Sequence, residues 1–262
     1  MSEASVVLLR RIAIVTGLAL LAATPSTADQ ADAFFGDSAV REIRLYFDEP
    51  NWYNTLYQAH ASNRDDPYFP ARFRYGDITL DSIGVRFKGN ASFRRAGVKK
   101  SFKLDFNRFQ ADATFLGLKK LNLNNGDLQP DLLREKLFLD FTSKFMAALR
   151  AVHVRVYVND VYWGLYIAVE QPDKTMMRSR FGKDEDGNLY EAVEFQGDLS
   201  YLGMDPAAYR RRHELETNET TGDYSDLISF IDILNNTPTA QLPQRLGPIC
   251  DVENMLGAIA VN

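Results

Sequence analysis

An α+β fold is predicted by three observations. Apolar residues alternate at period two in several segments between Val40 and Val169. One apolar pattern at helical spacing covers Asp131–Leu149, and the pattern beyond Pro172 is mainly helical. A sheet-rich part with one long helix thus precedes a helical part. With 262 residues, 45% of them hydrophobic and 25% charged, the chain can build a substantial core, which excludes disorder and a disulfide-stapled miniprotein.

Taken in order, Val40–Phe47 alternates as a strand. Asp48 followed by Glu49-Pro50-Asn51 offers an N-cap and a first-turn proline for a helix running to about His60. Ala61–Pro70 is polar and carries prolines, so it reads as a loop. Ala71–Tyr75, Ile78–Lys88 and Ser101–Phe106 are strands, the last with Phe102, Leu104 and Phe106 on one face; together they suggest an antiparallel meander. Leu118–Leu123 alternates as a further strand. Leu132, Leu133, Leu137, Phe138, Phe141, Phe145 and Leu149 then recur at helical spacing and predict the long helix. Val152–Val158 and Val161–Val169 form a hairpin across Asn159-Asp160, a pair that tolerates positive φ. Helices are expected at Asp173–Phe181, Pro206–Leu215, Tyr224–Leu234 and from Asp251 onward, with a short strand at Asn188–Ala192.

The first residues have the form of a secretory signal: Arg10-Arg11, an apolar run from Ile12 to Ala23, then Pro25 and the small residues Ser26-Thr27-Ala28. The run is shorter than the roughly 20 residues that a spanning helix needs. Residues 1–28 are therefore expected to be a cleaved signal peptide, leaving a secreted, periplasmic or cell-envelope protein with no membrane span.

Thirty Lys and Arg against 35 Asp and Glu give a net charge of −5, which argues against nucleic acid as partner. Cys250 is the single cysteine, and His60, His153 and His213 lie far apart, so no disulfide and no zinc-ligand spacing exist. The common P-loop, dinucleotide, zinc-protease and serine-hydrolase motifs are absent. Asp184–Asn188 lacks the glycine position and closing glutamate of a calcium loop and reads as a solvated turn.

More informative is Arg86–Phe106, a strand, a basic Gly/Asn/Ser turn and a second strand. Backbone amides at such a turn, surrounded by Lys and Arg, suit a phosphate; a solvated basic hairpin is the plainer reading. Lys103 sits mid-strand on the face opposite Phe102 and Leu104. It reads either as a surface lysine or as one that meets nucleotide phosphates. Glu135, in the following helix, is either an exposed residue in helix-surface pairs or the partner that holds such a lysine in place.

These segments resemble the spore coat protein H (CotH) kinase family. The matching motifs are Arg86-Phe-Lys-Gly-Asn-Ala-Ser92, Lys99-Lys-Ser-Phe-Lys-Leu104, Leu121-Asn-Leu-Asn-Asn125, Leu133-Arg-Glu-Lys136, Val156 through Glu170, and Gly187-Asn-Leu-Tyr190. Their order and spacing carry the resemblance over about Val40–Asn262.

The resemblance implies an atypical protein-kinase fold: an antiparallel-sheet small lobe over 40–170 with one long helix, then an incomplete, mainly helical large lobe over 171–262. It implies phosphoryl transfer from ATP to a protein substrate, or an envelope or coat protein as partner, with Mg or Mn. Gly89, Asn90 and Ser92 would stand for the phosphate-covering loop, Lys103 for the strand lysine, Glu135 for its helix partner and Glu170 for the connection that meets adenine. The family's catalytic Asn-x-Asp and metal-binding Trp-Asp-x-Asp motifs would follow a helix like Asp251–Asn262. The chain is therefore expected to be a C-terminally truncated member in which no catalytic or metal residue is identifiable, and so to be catalytically inactive and to bind nucleotide weakly at most. The alternative is a non-catalytic envelope or coat module that uses the basic Gly89–Lys103 hairpin.

Overall fold

The computed structural model describes residues 27–36, 38–62, 66–127, 129, 131–182, 186–193 and 196–261. Nearly all of the expected signal peptide lies outside them. Helix α1 (Thr27–Phe35) crosses the expected cleavage point after Ala28. Among the described residues no helix is long and apolar enough to cross a membrane.

Period-two patterning produces seven strands: β1 (Arg41–Tyr46), β2 (Phe69–Tyr75), β3 (Ile78–Lys88), β4 (Ser101–Asp105), β5 (Lys120–Asn124), β6 (Ala151–Val158) and β7 (Val161–Glu170). They close into a barrel in the order β1-β2-β3-β4-β5-β7-β6. Every neighbour is antiparallel except β1 and β6, which run parallel with Ile43 opposite Val156. Closure removes the sheet edges, and alternate side chains fill the interior. Val85, Phe87, Phe102, Leu104, Leu121 and Leu123 are fully buried there.

Aromatic residues plug both ends. Phe34 of α1 meets Phe115 and Tyr75 edge-on, at centroid distances of 5.0 and 5.3 Å. At the other end Trp52, the first residue of α2 (Trp52–Ser62), stacks on Phe47 at 4.9 Å and meets Trp163 at 5.0 Å. The Asn159-Asp160 turn of the β6–β7 hairpin has positive φ at both residues, the geometry that suits the right-handed twist of the flanking strands.

The closed barrel corrects the expected two-lobed, kinase-like architecture. Its decisive contact, β1 against β6, joins residues more than a hundred positions apart, and periodicity carries no information about such pairing. The long helix is also corrected. Helix α4 spans only Arg134–Thr142, and at its end Thr142 and Ser143 donate their hydroxyls back to the carbonyls of Phe138 (2.7 Å) and Asp140 (2.8 Å). Leu137, Phe141 and Phe145, which belong to the helical apolar spacing, are exposed.

Beyond β7 lie short helices rather than a helical lobe: α5 (Lys174–Phe181), α6 (Pro206–Arg210), α7 (Ser225–Asn236), α8 (Leu242–Leu246) and α9 (Val252–Val261). The expected helix Pro206–Leu215 is divided, its end forming strand β9 (His213–Leu215) against β8 (Tyr190–Ala192). Tyr209, Tyr224, Ile228 and Ile231 form a separate small cluster in this part.

Candidate functional site

Alternation that sends Val85, Phe87, Phe102, Leu104, Leu121 and Leu123 into the barrel sends the residues between them outward. The outer face of β3, β4 and β5 therefore presents Arg86 and Lys88, then Lys103, then Lys120, Asn122 and Asn124. Register places Arg86 opposite Lys103 and Lys103 opposite Asn122. Four cations thus share one sheet face.

Lys88 is the most constrained of them. Its ammonium donates to the side-chain oxygens of Asn122 (3.0 Å) and Asn124 (3.2 Å). Burial, reinforced by Lys103, pulls its pKa down to about 8. The Asn124 amide donates to Glu135 at 2.6 Å, and the Asn122 amide donates to Gln171 at 2.9 Å. Burial raises the Glu135 pKa, while Asn124 and Lys88 oppose that rise. The glutamate in the first turn of α4 therefore faces Lys88 and Asn124. Lys103 and Glu135 make no contact with each other among the described residues.

Lys103 is half-buried, and its ammonium forms neither a hydrogen bond nor an ion pair among the described residues. Burial first, then Arg86 and Lys120, push its pKa down, whereas Glu216 and Glu191 hold it up. Those glutamates come from the β8–β9 region. Burial, and then Glu191, raises the pKa of Glu216. Beside Lys103 the bare backbone of Gly84 allows a close approach: a Cβ there would lie 2.7 Å from the Arg108 Cβ. Tyr68 lies against the same spot, with the guanidinium carbons of Arg86 and Arg108 at 5.2 and 5.4 Å from its ring centre. Asp105 is buried, and its Oδ1 has no hydrogen-bond partner among the described residues.

The Gly89–Ser92 turn is fastened to this face. Gly89 has φ +93° and its Cβ position lies 2.4 Å from the Ser92 hydroxyl, so only glycine fits. The Gly89 carbonyl meets His60 Nε2 at 2.9 Å; His60 Nδ1 meets Asp66 at 2.8 Å, and Asp66 is ion-paired with Arg86. Asn90 precedes the four-residue helix α3 (Ala91–Arg94), whose Phe93 is buried. Lys100 donates to the carbonyls of Phe93 (2.7 Å) and Arg95 (2.6 Å), and Lys99 to that of Asn125 (2.9 Å). Lys100 thus holds α3, which follows the turn, while Lys99 reaches across to the end of β5.

Glu170 closes β7 with its carboxylate 1% exposed. It accepts from Arg150 at 2.5 Å and from Arg180 at 2.6 Å, while its own backbone N–H donates to the Arg150 carbonyl at 2.9 Å. Its side chain and N–H are therefore both occupied by protein. The adjoining Gln171 reaches the cationic face through Asn122.

Lys88, Asn122, Asn124 and Gln171 were not singled out from the sequence. Parity would have found the first three, since residues that alternate with Val85, Phe87, Leu121 and Leu123 must share the face of Lys103.

The model of the family described as CotH kinase protein matches residues 85–262. The chain belongs to the CotH kinase family. Inner spore coat protein H of Bacillus subtilis (strain 168) is 28% identical over 200 residues, which is 75% of this chain and 53% of that protein. The chain thus spans about half the length of the curated relative it matches. In this CotH-family chain the matched span opens one residue before Arg86. It contains the whole cationic cluster and Glu135, whereas β1, α2 and β2 lie ahead of it.

Proposed function

We propose that the outer face of β3, β4 and β5 binds the phosphates of ATP for a CotH-type protein kinase acting on an envelope or coat protein. The observation that carries this reading is Lys103: a half-buried cation without an ion-pair partner, set between Arg86 and Lys120. A half-buried ammonium beside other cations and with no direct hydrogen bond is costly, and a phosphate oxygen would accept from it. Arg86 and Lys120 add charge beside it. Lys88, fixed by Asn122 and Asn124 and oriented through Glu135, gives a second fixed donor at the edge of the same site. Glu191 and Glu216, standing near Lys103, would be repelled by an incoming phosphate, so binding would favour a shift of the paired strands β8 and β9.

In phosphoryl transfer, Mg or Mn neutralises charge on the transferred group. Among the described residues no group of three or more His, Cys, Asp or Glu side chains is placed to hold a metal ion, so no step is assigned through one. Transfer to a protein, and export of the protein to the envelope or coat, belong to the same proposal. The name of the Bacillus relative supports a coat setting.

The competing reading, a coat or envelope module that uses the basic Gly89–Lys103 hairpin, has less support. Lys99 and Lys100 are engaged with backbone carbonyls, and Arg95 pairs with Asp127 at 2.6 Å.

The test is thermal melting of the full chain with ATP, tripolyphosphate or adenosine. ATP and tripolyphosphate should both raise the melting temperature, by an amount equivalent to about 2.7 kcal/mol at a hundredfold excess over Kd, and adenosine should raise it far less. Stabilisation by adenosine alone, or none by either phosphate ligand, would overturn the proposal.

A further inference from the structure

A second outer face of the barrel, on β1, β2 and β6, carries arginine and tyrosine in a continuous row. Arg74 lies opposite Arg44, Arg44 opposite Tyr157, and Tyr157 opposite Tyr162 of β7. On either side, Arg72 is opposite Tyr46 and Arg155 is opposite Glu42. The Arg44 guanidinium sits 4.4 Å from the centre of the Tyr157 ring, and that of Arg72 sits 5.0 Å from the centre of Tyr46. Tyr162, with its ring 5.4 Å from Tyr157, is 54% exposed. The result is a flat platform of aromatic rings and guanidinium groups.

Its charge arrangement is unfavourable in isolation. Like charges directly opposite one another across a strand pair are destabilising, and Arg44 faces Arg74. Arg44 is offset by Glu42 and Asp160, each at 2.8 Å. Arg72, Arg74 and Arg155 form no ion pair among the described residues. Two shallow grooves run here, one of about 430 Å³ beside Arg72 and Arg74 and one of about 480 Å³ beside Arg44 and Arg74.

We propose that this arginine–tyrosine face docks an acidic peptide segment of a protein partner. Guanidinium groups pair with carboxylates in a fixed, two-pronged geometry, and Tyr and Arg are the residue types that most often dominate binding energy at protein interfaces. Glu42, Asp77 and Asp160 stand among the arginines. They would repel the unbroken charge of a phosphate backbone yet leave room for spaced carboxylates. The chain's net charge of −5 weighs the same way against a nucleic acid. None of these residues belongs to the cationic cluster on β3, β4 and β5, so the inference stands or falls independently of nucleotide binding.

The experiment is fluorescence anisotropy on the full chain, with labelled peptides of about a dozen residues in which Glu alternates with Gly, a matched peptide with Gln for Glu, and a single-stranded DNA of similar length. The Glu peptide should bind at least tenfold more tightly than the Gln peptide and more tightly than the DNA. Arg72→Glu with Arg74→Glu should lower its affinity at least tenfold, Tyr162→Ala should lower it less, and Lys103→Ala should leave it unchanged. Circular dichroism checks folding, and Arg155→Ala carries the same test if the double variant unfolds. Equal binding of the Glu and Gln peptides, tighter binding of DNA, or affinity indifferent to the arginine variants overturns the proposal.

Discussion

Lys88 and Glu135 are joined through one side chain: the Asn124 carbonyl oxygen accepts from the Lys88 ammonium at 3.2 Å while its amide donates to Glu135 at 2.6 Å. A helix is thereby tied to the outer face of the barrel through a relay whose polarity can run only one way. The lysine must donate and the carboxylate must accept, so the amide orientation of Asn124 is set by its neighbours.

Glu135→Ala should therefore loosen α4 from the barrel. The loss of a charge-assisted hydrogen bond is worth about 1.5–3 kcal/mol, and urea denaturation should show a decrease of that order. The pKa of Lys88 should also fall further, because Glu135 is one of the groups that hold it up. A variant with unchanged stability and unchanged Lys88 titration by NMR would show that the relay is not formed in solution.

Lys88 gives a pH dependence of definite sign. In the folded chain its pKa is lowered to about 8, against 10.5 when unperturbed. Below pH 8 both states are protonated, and the folded state bears the full cost of the buried ammonium. Between about 8 and 10.5 the unfolded chain holds a proton that the folded chain has released, so stability from this group rises with pH. The unfolding free energy of wild type relative to Lys88→Met should rise between pH 7.5 and 9.5 in urea denaturation. A flat difference across that window would mean that Lys88 titrates normally.

Glu170 is the hub between Arg150 and Arg180. Removing one partner from a buried ion pair leaves uncompensated charge and costs about 3–5 kcal/mol. Glu170→Gln should destabilise the chain on that scale, and Arg180→Ala should cost less because Arg150 keeps its partner. Denaturant midpoints that order the two variants the other way would contradict the hub role.

Individual strands were legible in the sequence, but the barrel they close was not. Phe102, Leu104 and Phe106 announced β4 by period two, and Asn159-Asp160 announced its hairpin, because strand alternation and positive-φ turns are local properties. The parallel closure of β1 on β6 was not legible, since it depends on a pairing across the whole barrel. The apolar run Leu132–Leu149 predicts one long helix, whereas α4 covers only Arg134–Thr142, because spacing tells which residues share a face and not where the helix stops. At the site, the outward direction of Lys103 followed from parity. The same parity pointed to Lys88, which a reading centred on the Gly89–Ser92 turn passed over. That Lys99 and Lys100 would hold backbone carbonyls could not be known without the position of α3.

On the outer face of β4, Lys103 is the residue proposed to receive a nucleotide phosphate. Isothermal titration of the full chain with ATP, for wild type and Lys103→Ala, tests it most directly. Wild type should bind, and the variant, with an unchanged melting curve, should lose at least tenfold in affinity, equivalent to about 1.4 kcal/mol. Equal affinity in the two proteins, or no binding by wild type, would contradict it.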